Sequence, residues 1–182
     1  DILYHPPLYN GMASIINALQ GLGERKFETI SLMTGHVGIV ACDGKVIEAV
    51  GSGVRRLDSV AEFVHHYRNS TITTVMVLRV NGVSALVRKK AVEFAEKQIG
   101  KAYDLVSITN CIINPVTVTP LNCKQIFSSM YYCSELVWAA YEVASGAKEG
   151  VFVDDYGTVD LDWSDGTNKW VNAFDFVYPV EI

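Results

Sequence analysis

The sequence lacks the short motifs of several common classes of enzyme. It contains no GxSxG nucleophile elbow, no GxxxxGK[ST] phosphate loop and no GxGxxG dinucleotide loop. Serine hydrolases and nucleotide-binding proteins depend on these motifs, so the sequence gives no support to either class. It also lacks a CxxC pair and any Cys/His cluster with zinc spacing. We therefore expect no metal site and no cofactor.

Long apolar runs and an excess of positive charge are also missing. No hydrophobic run reaches the ~18 residues needed to cross a membrane, so no transmembrane segment is predicted. The chain has 15 Lys and Arg against 20 Asp and Glu, a net charge of −5, which argues against a nucleic-acid partner. The dense basic run Arg88-Lys89-Lys90 precedes a helical pattern and predicts a solvated face.

Cysteine is scarce as well. Four cysteines among 182 residues do not make a disulfide-rich scaffold. A bridge between Cys111 and Cys123 remains an open alternative, and Cys42, at the end of an apolar run, is predicted to be a small core residue. With 49% hydrophobic residues and no linker or repeat, residues 1–182 predict a single domain. Asp1 is not a natural first residue, so we expect that something upstream was removed.

The strongest strand signal is a hairpin around Asp43-Gly44. Residues 37–41 and 45–50 are β-branched runs on either side of this dipeptide, which suits a type I′ turn. A tight two-residue turn would place His36 opposite Gly51 and Glu48 opposite Ile39. Further strands are predicted at residues 2–4, 54–57, 71–80 and 174–180.

Four segments have apolar residues at helical spacing, namely residues 11–22, 59–68, 85–99 and 132–145. Asp58 is the predicted N-cap of the second helix. Gly100 is the predicted C-cap of the third, and the fourth is predicted to end at Gly146. Since the order is a helix, a group of strands, helices and a last strand, the sequence predicts an α+β fold with an antiparallel sheet.

Cys133 is the first candidate for chemistry because an apolar helix pattern begins directly after it. A thiol at a helix N-terminus meets the positive end of the helix dipole and unpaired N–H groups. Both stabilise the thiolate and lower its pKa from about 8.5 in a free cysteine. The same amides can stabilise an oxyanion. The alternative is a buried core cysteine without reactivity.

His36 and Glu48 are the other candidates. His36 begins the first hairpin strand, and an imidazole is the base that a thiol nucleophile needs. Gly35 and Gly38 leave room there for a backbone or a substrate to approach closely. Glu48 is a carboxylate inside an apolar strand, which is costly unless it is paired. The alternatives are a histidine bonded to backbone and an edge-strand glutamate facing water. The remaining histidines are predicted to be structural (His5) or on the surface (His65 and His66).

Five segments carry a resemblance to a known family: Asp1-Ile2-Leu3, Gly35-His36-Val37-Gly38-Ile39-Val40, Val46-Ile47-Glu48-Ala49, residues 91–104 and Tyr131-Tyr132-Cys133-Ser134-Glu135-Leu136-Val137-Trp138. In this order they resemble the circularly permuted branch of the NlpC-type papain-like cysteine hydrolases, which includes YiiX-like and YycO-like bacterial amidases. In papain the cysteine precedes the histidine, whereas here His36 precedes Cys133, as a permuted chain implies. Catalysis depends on geometry and not on chain order.

The resemblance implies a permuted papain-like fold, with a small antiparallel sheet packed against helices including one that starts at Cys133. It implies that Cys133 is the nucleophile, His36 the base and Glu48 the group that orients the imidazole. Tyr103 and Tyr132 are expected to line the substrate site. Ala102 stands where the family usually has proline, so this loop is expected to differ.

The function implied is that of a cysteine amidase or peptidase that cleaves an amide bond in cell-wall peptide or a related small peptide. A secreted or cell-envelope location would follow from the same resemblance. One alternative is a lipid-directed thioesterase or acyltransferase, with residues 105–113 lining an acyl site. Another is a non-catalytic ligand-binding module. The expected partner is thus a small peptide, a muropeptide or a lipid-like substrate.

Overall fold

A computed structural model describes residues 1–5, 36–67, 75–80, 83–107 and 126–146. Within these residues the structure contains seven strands and three helices. In chain order they are β1 (Ile2–His5), β2 (His36–Val40), β3 (Val46–Val50), β4 (Gly53–Leu57), α1 (Val60–Tyr67), β5 (Met76–Leu78), α2 (Ala85–Lys97), β6 (Ala102–Tyr103), β7 (Met130–Tyr131) and α3 (Cys133–Ser145).

The main sheet has five strands in the order β4-β3-β2-β1-β5, and every neighbouring pair is antiparallel. The predicted α+β class with an antiparallel sheet is therefore confirmed. The strands predicted at residues 2–4, 37–41, 45–50 and 54–57 are all present, with ends that differ by one residue. Of the strand predicted at residues 71–80, the described part contains Met76–Leu78.

The hairpin between β2 and β3 has a longer loop than predicted. The Ala41 N–H donates to the Lys45 carbonyl at 2.8 Å, and the Gly44 N–H donates to the Ala41 carbonyl at 3.0 Å. Residues 42–44 therefore form a three-residue loop in which Gly44 takes a positive φ of 80°. Cys42 lies in this loop and is exposed, so the prediction of a core cysteine is wrong.

The extra loop residue shifts the register of the hairpin by one position. Glu48 lies opposite Gly38 and not opposite Ile39, so the register predicted for a tight turn is wrong. Because side chains alternate between the faces of a sheet, this shift decides which face each side chain occupies. It places Glu48 on the same face as His36, which is two residues before Gly38.

The two faces of the sheet bury different sets of apolar residues. Residues from alternate strand positions pack with α2 and α3, and this cluster includes Ile2, Tyr4, Val37, Ile39, Ile47, Ala49, Val54, Ala91, Phe94, Leu136, Val137 and Ala140. The intervening positions supply Leu3, Val46 and Leu57, which pack with Phe63 of α1. Burial of these side chains removes apolar surface from water and holds the helices against the sheet.

The helix ends agree with the predicted positions only in part. The Ser59 hydroxyl accepts a hydrogen bond from the Glu62 N–H at 3.1 Å, so Ser59 and not Asp58 caps α1. The correction follows from the helix start at Val60, one residue later than predicted. Likewise α2 has Gln98 as its C-cap, and Gly100 lies beyond it. The helix ending predicted at Gly146 is confirmed, with φ of 120°.

A second, two-stranded sheet joins β6 to β7 in parallel, with Tyr103 opposite Tyr131. It is tied to the main sheet through β4. The Val54 N–H donates to the Lys101 carbonyl at 2.8 Å, and the Gly100 N–H donates to the Val54 carbonyl at 2.9 Å. This link fixes the segment that carries Tyr103 relative to the main sheet.

Several predictions fall on other parts of the chain. The helix at residues 11–22, the strand at 174–180 and the Cys111–Cys123 bridge lie outside the described residues. Among the helices that are described, none has the length and apolar character needed to cross a membrane.

Candidate active site

Cys133 is the first residue of α3. Tyr132 before it is in an extended conformation with φ of −91° and ψ of 169°. The Glu135 carboxylate turns back to accept a hydrogen bond from the Tyr132 N–H at 3.3 Å, half of a capping box. This arrangement fixes the start of the helix, so the thiol lies at the positive end of its dipole, as the sequence predicted.

The thiol of Cys133 is hydrogen-bonded to the imidazole of His36, and the backbone N–H groups of Val37 and Ser134 also point to the sulfur. Burial alone would raise the pKa of Cys133. The hydrogen bond and positive charge of His36, together with the two N–H groups, lower that pKa below its ordinary value. These contacts stabilise the thiolate of Cys133 relative to that of a free cysteine.

The pKa of His36 is shifted in the opposite direction to that of Cys133. Burial alone would lower the pKa of its imidazole, but hydrogen bonds to Cys133 and Glu48 and the charges of both raise the pKa to about 9. A lowered thiol pKa beside a raised imidazole pKa favours a thiolate–imidazolium ion pair. The His36 side chain is only 16% exposed, so solvent screens this pair weakly.

Glu48 lies on the other side of the His36 ring. Its Oε2 is 2.7 Å from His36 Nε2, and its side chain is fully buried. Its Oε1 accepts hydrogen bonds from Arg55 Nε at 2.8 Å and Nη2 at 2.7 Å. The alternative of a water-facing edge glutamate is wrong, because β3 lies between β2 and β4. A buried carboxylate is tolerated here because both of its oxygens have cationic partners.

Phe63 of α1 holds the His36 ring from one side. The two rings are stacked, with centroids 5.7 Å apart and planes 21° from parallel. Gly38 makes this approach possible, because a Cβ there would lie 3.2 Å from a Phe63 ring carbon and 2.8 Å from Val46 Cγ1. The Ile47 carbonyl oxygen would lie 3.2 Å from the same Cβ, so the close approach predicted at this glycine is made by backbone as well as by side chains.

The two predicted substrate-binding tyrosines lie in different surroundings. Burial raises the pKa of Tyr103 above its ordinary range, and the charges of Cys133, Asp104 and Glu135 raise it further. The Tyr103 phenol therefore stays protonated and keeps its O–H as a hydrogen-bond donor. Tyr132 is 4% exposed and lies in the core cluster that α3 shares with the sheet.

The sequence interpretation missed Arg55. A signal was present, since Gly51-Ser52 between the strands predicted at residues 45–50 and 54–57 allows a two-residue turn. With that turn, β3 and β4 pair so that Glu48 lies directly opposite Arg55, an attractive cross-strand pair. The stack of Phe63 on His36 depends on how α1 packs, and the sequence carries no local signal for it.

Within the part of the chain that the structure describes, no group of three or more His, Cys, Asp or Glu side chains is placed to hold a metal ion. The remaining candidates from the sequence also have clear positions. His65 and His66 are exposed on α1, as predicted, and His5 is buried in β1 opposite His36.

A family model described as a permuted papain-like amidase enzyme, YaeF/YiiX, C92 family, matches residues 15–158. The chain belongs to this family. The resemblance inferred from the motifs is confirmed, and the family is one of cysteine peptidases and amidases.

A search of solved structures supports the permuted papain-like fold. The match is to the crystal structure of metalloprotein yiiX from Escherichia coli O157:H7, with a TM-score of 0.51 and 20% identity. It covers 80% of this chain but 66% of that one, so the chain spans slightly less than two thirds of its length. At this identity the likeness shows the fold alone. A search of curated proteins found no match.

Proposed function

We propose that this permuted papain-like amidase cleaves an amide bond in a peptide, with Cys133 as nucleophile, His36 as acid and base, and Glu48 as the group that orients the imidazole. The observation that carries the proposal is the hydrogen-bonded chain from the Cys133 thiol through His36 to the buried Glu48. Such a chain supplies a nucleophile, its base and an orienting group within hydrogen-bond reach.

In this mechanism the proton has already moved from Cys133 to His36 in the resting enzyme. The thiolate attacks the carbonyl carbon, and amides in the first turn of α3 stabilise the oxyanion. His36 then donates its proton to the leaving amine, so that the C–N bond breaks and a thioester with Cys133 remains. Water attacks the thioester while His36 takes its proton, and loss of the Cys133 thiolate releases the acid and restores the thiolate–imidazolium pair.

The proposed substrate is a cell-wall peptide or a related small peptide. Membership of an amidase family supports a peptide, and the wider resemblance to NlpC-type hydrolases supports the cell-wall source. The charge of Cys133 acts on the Tyr103 phenol, and the raised pKa keeps this phenol protonated, which supports a role as hydrogen-bond donor to a peptide carbonyl. An envelope or secreted location would suit such a substrate.

One observation favours a second candidate substrate. Leu105 and Val106 follow Asp104 directly and are 41% and 59% exposed. An apolar rim beside Tyr103 would accept a fatty acyl chain as well as an apolar peptide side chain. A lipid-directed thioesterase or acyltransferase would use the same thiolate chemistry, so the test includes an acyl donor.

The test is incubation of the full chain with purified muropeptides, with an unrelated synthetic peptide and with a fatty-acyl thioester, followed by mass spectrometry of the products. Cys133→Ala and His36→Ala remove the proposed nucleophile and base. Cys42→Ser is the matched control, because Cys42 is exposed in the hairpin loop. We expect amide cleavage of a peptide that both site variants lose and that the control keeps.

Amide cleavage that survives Cys133→Ala would overturn the proposal. Cleavage of the thioester without any cleavage of peptides would replace the amidase with the lipid-directed alternative. If no substrate reacts, and Cys133 is alkylated with the pH dependence of an ordinary thiol, the fold serves as a binding module.

A further inference from the structure

Arg55 is the last member of the hydrogen-bonded series that runs from Cys133 through His36 and Glu48. It lies on β4 directly opposite Glu48 of β3. Two of its nitrogens, Nε and Nη2, hydrogen-bond to the same carboxylate oxygen, while the other oxygen of Glu48 binds His36. The Arg55 side chain is 38% exposed, whereas the carboxylate it contacts is fully buried.

The charges of these four groups balance only when Arg55 is included. In the resting state proposed above, Cys133 and Glu48 are anions and His36 is a single cation. Two buried anions with one cation would leave a net negative charge in a region of low dielectric, which is unfavourable. The guanidinium of Arg55 restores neutrality because it is always protonated.

We propose that Arg55 is a positioning residue for this site, which keeps Glu48 ionised and aimed at His36 and so maintains the reactive thiolate of Cys133. The inference rests on the proposed function and extends it. Arg55 acts through Glu48 and His36 and does not itself touch the reacting sulfur. Its bonds to Oε1 fix the rotation of the carboxylate, so that Oε2 faces the imidazole.

Loss of Arg55 would destabilise the Cys133 thiolate in either of two ways. If Glu48 takes up a proton, His36 loses the anion that raises its pKa, and the imidazolium no longer supports the thiolate. If Glu48 stays ionised, the excess negative charge favours protonation of Cys133 directly. Both routes raise the pH at which Cys133 becomes a thiolate.

The other titratable groups around the site come from several elements. The charges of Cys133, of Asp104 next to Tyr103, and of Glu135 on α3 all raise the pKa of Tyr103, so these three groups surround that phenol. The titratable or charged groups next to the Cys133–His36–Glu48 chain include Arg55, His5 opposite His36 on β1, and Tyr103, whose pKa the charge of Cys133 raises. Arg55 is the one whose cationic nitrogens contact the buried carboxylate.

The neighbouring Arg56 gives a matched control. It has the opposite orientation on β4 and pairs with Asp43 and Glu96, away from the Cys133 chain. Its side chain is 33% exposed, close to the 38% of Arg55. A change at Arg56 therefore removes one positive charge at a similar depth without touching Glu48.

The experiment measures the rate at which iodoacetamide alkylates Cys133 as a function of pH. It uses the full chain with Cys42→Ser, and peptide mass spectrometry assigns the modified residue. We expect Arg55→Met to move the midpoint of the rate to higher pH by about one unit, which is a tenfold lower rate below the midpoint. Arg55→Lys should keep the midpoint near that of the parent, and Arg56→Met should leave it unchanged.

The outcomes separate the two proposals. If the parent chain already has the midpoint of an ordinary thiol, the proposed function fails. If the parent midpoint lies below that of an ordinary thiol and Arg55→Met has the same midpoint as the parent, only the role of Arg55 is overturned. A profile for Arg55→Lys equal to that of Arg55→Met would overturn the charge argument as well. Should Arg55→Met not fold, Arg55→Gln takes its place, and a midpoint equal to the parent's would contradict the inference.

Discussion

Glu48 reaches His36 diagonally across two strands. Its Oε2 lies 2.7 Å from His36 Nε2, although the residue opposite Glu48 is Gly38. Diagonal neighbours on one face of an antiparallel pair are within reach of long side chains. Since Gly38 has no side chain, nothing on the strand itself stands between the carboxylate and the ring.

The first prediction concerns the charge of Glu48. Glu48→Gln keeps a polar group of the same shape but removes the negative charge that helps raise the pKa of His36 to about 9. The pKa of His36 should fall. Because His36 must carry a proton to release the amine, the decline of kcat/KM at high pH should begin at lower pH than in the parent.

The measurement is the pH profile of kcat/KM on a peptide that the enzyme cleaves. Glu96→Gln is the control, since Glu96 pairs with Arg56 at the surface. Identical high-pH limbs for Glu48→Gln and the parent would show that the carboxylate does not set the protonation of His36.

The second prediction concerns Gly38. A methyl group there would meet Val46 Cγ1 at 2.8 Å and a Phe63 ring carbon at 3.2 Å, closer than packed atoms allow. Gly38→Ala should lower the free energy of unfolding by about 1–3 kcal/mol, as overpacking does. It should also lower kcat, because displaced Phe63 no longer supports the His36 ring.

Urea unfolding and steady-state kinetics check this. In a Val46→Ala background the added methyl group has space, so Gly38→Ala should cost less stability there than in the parent. Equal costs in the two backgrounds would mean that crowding at Val46 is not the cause.

The third prediction concerns the link between β4 and the segment before Tyr103. Gly53 has φ of 112°, and a Cβ there would lie 2.5 Å from the Lys101 carbonyl oxygen. Gly53→Ala should cost roughly 1–3 kcal/mol from backbone strain alone and more from the contact with backbone. It should also reduce activity by displacing Tyr103.

Gly51→Ala is the matched control, because no atom lies within 4 Å of a Cβ at that position. Its free energy of unfolding should stay within about 0.5 kcal/mol of the parent. Similar losses for both variants would contradict the role given to the Gly53 contact.

The sequence predicted the local features of the fold well. β-Branched runs identified β2, β3 and β4, and apolar spacing identified α2 and α3, because these signals depend on neighbouring residues. It also placed Cys133 at the start of α3. The hairpin loop was harder, since Asp43-Gly44 fits both a two-residue turn and a three-residue loop with Gly44 last.

That single loop residue explains why the site was only partly predictable. With the tight turn, Glu48 lies opposite Ile39 and contact with His36 has no geometric basis. With the observed register, Glu48 and His36 share a face. Of the partners that complete the site, Arg55 follows from the short turn at Gly51-Ser52, whereas the position of Phe63 depends on the packing of α1, which local patterns do not encode.

The most direct test of this account is a titration of the Cys133 thiolate by its ultraviolet absorbance, taken as the difference between the parent chain and Cys133→Ala. We expect a midpoint below the value of about 8.5 for a free cysteine. In His36→Ala the midpoint should rise above that value, because burial then acts on the thiol without the imidazolium. A parent midpoint at or above the free value, unchanged by His36→Ala, would contradict the ion pair and the function built on it.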